Sequence, residues 1–120
     1  MTEIPSNMVT WFQLPADDVE RAWSFYKEAF GWSRDAAYAN VAQPGAINGE
    51  IAQRTEELHH PRLVIRVDDL DEALRKITEA GGRTIVHRTE IPAIAMVFAT
   101  FMDTEGNSVN IVSDLRKAAG

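Results

Sequence analysis

The sequence contains no cysteine. That excludes disulfides, thiolate metal sites and cysteine nucleophiles, and it fits a reducing, cytoplasmic setting. No apolar run approaches the ~18 residues that a membrane-spanning helix needs. The opening Met1-Thr-Glu-Ile-Pro5 has no basic segment followed by an apolar one, so no signal peptide is expected. Basic residues are in deficit: Lys plus Arg number 12 against 18 Asp plus Glu, a formal charge of −6. A broad nucleic-acid or anionic-membrane surface needs clustered Lys and Arg, so neither partner is expected. There is no glycine-rich phosphate loop, and the three histidines show no H-x-x-x-H or H-E-x-x-H spacing. Ser24 and Ser108 have no base at a recognisable distance along the chain, which leaves nucleophilic catalysis without support.

What is present is an ordinary globular composition, 45% hydrophobic over 120 residues, the size of a single domain. The chain also repeats itself. A shift of 51 residues sets Ala16–Trp32 against Val67–Arg83 with six of 17 positions identical, among them Asp17/Asp68, Asp18/Asp69 and Gly31/Gly82. Both segments read as amphipathic helices. Val19, Ala22, Trp23, Tyr26 and Phe30 recur at helical spacing, as do Leu70, Ala73, Leu74 and Ile77. Asp17 and Asp68 are placed to cap the first turns, and Gly31 and Gly81-Gly82 to end the helices.

A β-like run precedes each helix, at 8–14 and 60–67, and three strand candidates follow. In the first half these are 32–37, 38–42 and 47–53, punctuated by Pro44-Gly45 and Asn48-Gly49. In the second they are 83–89, 96–102 and 108–112, punctuated by Pro92 and by the turn Asp103-Thr-Glu-Gly-Asn107. The order in each half is β-α-β-β-β. The fold class is therefore α+β, with two such modules forming a curved, mostly antiparallel eight-stranded sheet around a cavity and helices outside. Module one covers about 8–53, a polar linker 54–61, module two about 62–113 and a tail 114–120. Eight of the ten aromatic residues lie in the first half, most at helix-core spacing, and core packing is their favoured role.

Three segments carry a family resemblance. They are Ala16-Asp-Asp-Val-Glu-Arg-Ala with Phe25-Tyr26 and Phe30-Gly31-Trp32, Val67-Asp-Asp-Leu-Asp-Glu-Ala with Ala80-Gly-Gly, and Phe101-Met-Asp-Thr-Glu-Gly-Asn107. Together they resemble the vicinal oxygen chelate superfamily of glyoxalase I, bleomycin-resistance proteins and extradiol dioxygenases, over about residues 8–113. Thr104 stands where that family usually has proline. The resemblance implies a homodimer. It also implies a divalent metal held by His, Gln or Glu from the first and last strands of each module. Those positions fall on Trp11, Arg62, Asn110 and, within one or two residues, Glu50. Only Glu50 is a good ligand, since an indole N–H only donates and a guanidinium is a permanent cation.

Two readings of Glu50 and Arg62 stand open. In one they face each other as a metal-free ion pair, with Asn110 as a further polar contact and Trp11 as an apolar wall, and Arg62 offers N–H donors to a ligand oxyanion. In the other Glu50 sits in a turn and Arg62 at a strand start, both in water. His60, two residues before Arg62, is a weak metal candidate beside Glu50; the alternative is that His59-His60 is an exposed linker pair. His87 reads as exposed or at the core edge. Tyr38 reads equally as cavity-lining or core. Ile91–Val97 reads as pocket lining or subunit interface. The expected function is binding of a small organic ligand between the modules, without the metal cofactor. The alternatives are a metal-dependent lyase or isomerase of glyoxalase type, or a related dioxygenase, using Glu50 and a nearby His, and an interaction module whose cavity is vestigial.

Overall fold

The structure, a computed structural model, describes residues 6–35, 38–40 and 47–115. The elements run β1 (Met8–Ala16), α1 (Val19–Phe30), β2 (Ser33–Asp35), β3 (Tyr38–Asn40), β4 (Asn48–Gln53), β5 (Arg62–Arg66), α2 (Leu70–Glu79), β6 (Arg83–Ile91), β7 (Met96–Met102) and β8 (Ser108–Asp114), with a 3₁₀ turn at Pro92–Ile94. The fold is α+β with mixed strand pairing. The described residues of 10–63 form one compact unit, and those of 64–115, with those of 6–9, form the other.

Within Thr10–Leu63, β1 runs parallel to β4, while β4 and β2 each pair antiparallel with β3. Strand periodicity sends alternate side chains to opposite faces. Phe12 and Leu14 therefore face α1, and so does Ile51, which pairs with Leu14. There they pack with buried Trp23 and Ala16 and with half-buried Ala22, Tyr26 and Trp32. Trp11, Gln13 and Glu50 are left for the opposite face. In the other unit β5 runs parallel to β8, and β8-β7-β6 are joined antiparallel. Its core is Val67, Leu70, Val97, Ala99 and Ile111, under the apolar stripe of α2. No described helix is long and apolar enough to cross a membrane.

Several local expectations shift. The N-caps are Asp18 and Asp69, one residue later than the repeat alone places them, and their carboxylates accept from the backbone N–H of Arg21 and Glu72. Asp17 is released to pair with Arg54 at 2.8 Å. Gly31 closes α1 at φ 74°, a left-handed conformation that suits glycine. Asn48-Gly49 is not a turn but the start of β4. A Cβ on Gly49 would lie 2.5 Å from the ring and from the carbonyl oxygen of Phe12, so the residue is there for close strand approach. Residues 54–61 are more than a spacer, because Leu58 is buried and its N–H is accepted by the Thr55 hydroxyl. Phe25 and Phe30 are 59% and 66% exposed, against the core role expected for most aromatics. The Pro44-Gly45 turn and the Tyr38 side chain lie outside the described residues.

Candidate functional site

The polar face of Thr10–Leu63 is assembled by strand register. The parallel β1–β4 pairing sets Gln13 beside Glu50. In the other unit β5–β8 sets Val64 beside Asn110. The 51-residue shift maps Gln13 onto Val64.

Glu50 Oε2 accepts two hydrogen bonds, from Trp11 Nε1 at 3.1 Å and from Gln13 Nε2 at 3.1 Å. The other end of the Gln13 amide, Oε1, accepts from Arg62 Nε at 2.8 Å. Arg62 Nη1 reaches the Glu57 carbonyl oxygen at 3.3 Å. All four side chains are half-buried. This corrects the expected geometry. Glu50 and Arg62 are joined through Gln13 and not by a direct ion pair. Trp11 is a hydrogen-bond donor to Glu50 and not a purely apolar wall. Nor does either charge sit simply in water, as the plainer reading had it.

The arrangement follows from donor and acceptor counting. A carboxylate only accepts and a guanidinium only donates, and an amide does one at each end. Gln13 is thus oriented by charge at both of its termini. Burial pulls the Arg62 pKa below its ordinary value, while the Glu57 and Glu50 charges pull it back up. Arg62 stays cationic at neutral pH.

On the helix-facing side Phe12, Leu14, Tyr26 and Trp32 line a cleft of 360 Å³, to which residues 13 and 61–63 of the neighbouring strand segments also contribute. Trp32 stacks on Tyr26 with centroids 4.8 Å apart and planes at 14°. Phe12 leans on Trp32 at 5.7 Å. Gln13 was not singled out by sequence. Its signal was present in retrospect: it lies two residues from Trp11, on the same strand face.

Asn110 belongs to the other unit, where it is buried and its Oδ1 accepts from Thr100 Oγ1. His59 and His60 are exposed, precede β5, and pack edge to face with each other at 4.8 Å. His87 is exposed on β6. Ala93, Ile94 and Ala95 are exposed, and Met96 is half-buried.

The metal that the family resemblance implies does not fit these residues. Among the described residues no three His, Asp or Glu side chains converge. Glu50 Oε2 already accepts two N–H groups, the Gln13 oxygen is taken by Arg62, and the guanidinium adds a positive charge beside them. A divalent cation needs several anionic or neutral donors converging, and a neighbouring permanent cation opposes it.

Residues 8–111 match the Glyoxalase/Bleomycin resistance protein/Dioxygenase superfamily. A glyoxylase-like domain-containing protein from Didymella fabae is 29% identical over 113 residues, covering 83% of this chain and 88% of that protein. In structure the chain is similar to methylmalonyl-CoA epimerase from Mycobacterium tuberculosis, with a TM-score of 0.66, 18% identity, and coverage of 99% of this chain and 97% of that one. It is also similar to a superfamily member from Vibrio splendidus 12B01, with a TM-score of 0.65, 12% identity, and coverage of 86% and 96%. At those identities the structural likeness speaks for fold alone. With the matched segment spanning nearly the whole chain, this protein belongs to the glyoxalase/bleomycin resistance protein/dioxygenase superfamily.

Proposed function

We propose that this protein binds a small organic ligand within residues 10–63, using Arg62 as a built-in cation where relatives use a metal. The observation that carries this reading is the hydrogen-bond chain Trp11–Glu50–Gln13–Arg62. The Glu50 carboxylate is occupied by two N–H donors and the Gln13 oxygen by a cation, and a metal would have to displace both. A guanidinium held by fixed acceptors offers its remaining N–H groups to a ligand oxygen without further reorganisation. Asn110 is retained as the matching polar candidate of the other unit. In the same reading each unit is one βαβββ module of the family fold, and together they supply its eight strands.

The glyoxalase-type or dioxygenase alternative requires a carboxylate with an imidazole beside it. The exposed position of His59 and His60 counts against that. Elemental analysis of protein purified without chelator tests the proposal, together with melting temperature in added Zn²⁺ or Ni²⁺. We expect metal far below one ion per chain and no stabilisation, since a specific ligand raises the melting temperature by mass action. Stoichiometric Ni, Zn, Mn or Fe overturns it.

A further inference from the structure

We propose that the polar face of residues 10–63 binds a zwitterion of the amino-acid type, with the ligand ammonium on Glu50 Oε1 and the ligand carboxylate on Arg62 Nη2. The inference rests on the ligand-binding reading above and names its ligand class. The aromatic cleft lies on the helix-facing side and takes no part.

Three observations carry it. The first is a pair of opposite charges held apart. Glu50 and Arg62 stand at the two ends of the Gln13 amide and make no direct ion pair. Burial lowers the Arg62 pKa, and the Glu57 and then the Glu50 charge raise it, so both carboxylates lie within Coulombic reach of the guanidinium. Glu57 is exposed, and it holds Arg62 by its backbone carbonyl. A ligand bearing only a carboxylate is therefore drawn by Arg62 and opposed by Glu50 and Glu57. A ligand bearing only an ammonium is drawn by Glu50 and opposed by Arg62. A zwitterion answers both charges at once, because each of its groups offsets the repulsion that the other meets.

The second is open capacity at both ends of the chain. The hydrogen bonds from Trp11 and Gln13 both end on Glu50 Oε2. Among the described residues Glu50 Oε1 meets no donor. Arg62 donates through Nε to Gln13 and through Nη1 to the Glu57 carbonyl, and among the described residues its Nη2 meets no acceptor. One end thus offers an anionic acceptor and the other a cationic donor. Both form the charge-assisted class of hydrogen bond.

The third is preorganisation. Each charged group has two anchors, Trp11 and Gln13 for Glu50, and Gln13 and the Glu57 carbonyl for Arg62. Gln13 is common to both and fixes their separation. Little side-chain entropy remains to be lost when a ligand joins them.

The test titrates glycine, 4-aminobutyrate and 6-aminohexanoate into the full chain by calorimetry. Each is paired with its N-acetyl form, which keeps only the carboxylate, and its amide form, which keeps only the ammonium. We expect at least one of the three zwitterions to bind about 10-fold more tightly than either of its own analogues. Glu50→Gln and Arg62→Gln should each weaken that zwitterion by about 10-fold, the low end for a bond to a charged group, as suits a half-buried site. Glu50→Gln should at the same time strengthen the N-acetyl form, and Arg62→Gln the amide form, because the opposing charge has gone. That crossover is one a merely structural lesion does not produce, and near-ultraviolet circular dichroism confirms that both variants are folded. An N-acetyl form that binds as tightly as its zwitterion overturns the ligand class while leaving small-ligand binding on Arg62 intact. An amide form that does so, or unchanged zwitterion affinity in either variant, also overturns the class. Failure of all these compounds to bind overturns it too, and the metal content of the same preparation then decides separately whether the metal-free reading falls with it.

Discussion

Replacing Gln13 by methionine tests whether the hydrogen-bond chain is a single coupled unit. Methionine nearly preserves the length and volume of the side chain and removes both polar ends. The loss includes the bond from Gln13 Nε2 to Glu50 at 3.1 Å and the one from Arg62 Nε to Gln13 Oε1 at 2.8 Å. Each has one ionised partner, a class that contributes about 1.5–3 kcal/mol when removal strands the partner. Both partners are half-buried and partly rescued by water, which argues for the low end. Glu50 also keeps the Trp11 N–H. The thioether regains roughly 1 kcal/mol of apolar burial. The net expectation is a loss of about 2 kcal/mol. For a chain of 120 residues an unfolding entropy of about 2.1 cal/mol/K per residue makes that a fall in Tm of about 8 °C. Calorimetry measures the fall, and urea titration of Gln13→Met, Arg62→Met and the double variant measures the coupling. If Gln13 joins Glu50 to Arg62, the double variant is more stable than simple addition predicts by about 1 kcal/mol, because the Arg62–Gln13 bond is lost only once. A Tm within 2 °C of the parent, or additivity within about 0.4 kcal/mol, would refute the reasoning.

Two further outcomes follow from the geometry. Gly49→Ala should destabilise by about 3 kcal/mol, the upper range for overpacking. The Phe12 ring can rotate away from the new methyl group, but the Phe12 carbonyl oxygen cannot move without breaking the β1–β4 register; chemical denaturation with loss below 1 kcal/mol would contradict this. Asp103 accepts from the backbone and side chain of Asn107 and from the backbone of Glu105, and these bonds hold its carboxyl below the usual range. A depressed folded pKa means that the stability it confers is present above the unfolded value near ~3.9 and is lost as pH falls through the folded one. The Tm gap between the parent and Asp103→Asn should thus be widest at neutral pH and narrow in acid, and a gap that is constant with pH would count against the charge being the cause.

How much was legible beforehand depended on the range of the interaction. Apolar residues recurring every three or four positions marked both helices, and their ends needed only the next glycine or aspartate. The Asp103–Asn107 turn is closed by bonds spanning four residues, so it too was readable. The caps were displaced by one residue because two adjacent aspartates are equivalent locally. Only the packing of the chain decides that Asp18 turns onto the helix while Asp17 turns to Arg54. Gly49 read as a turn signal because nothing nearby in sequence reveals that Phe12, 37 positions earlier, will lie against it.

The site divides in the same way. The chain by itself determined the repeat, the α+β pattern, and which side chains stand at 50 and 62, one carboxylate and one guanidinium. Those are properties of residue identity and spacing. Tertiary structure alone decided how the charges are reconciled. Gln13 stands 37 residues from Glu50 and 49 from Arg62, and strand register is what places its amide between an acceptor and a donor. A one-residue slip in β1 would turn Phe12 to the polar face and Gln13 to the core. No local preference encodes that register. It is set by the burial of Phe12, Leu14 and Ile51 against Trp23 and the rest of the apolar face of α1, and the polar chain on the other face is its consequence.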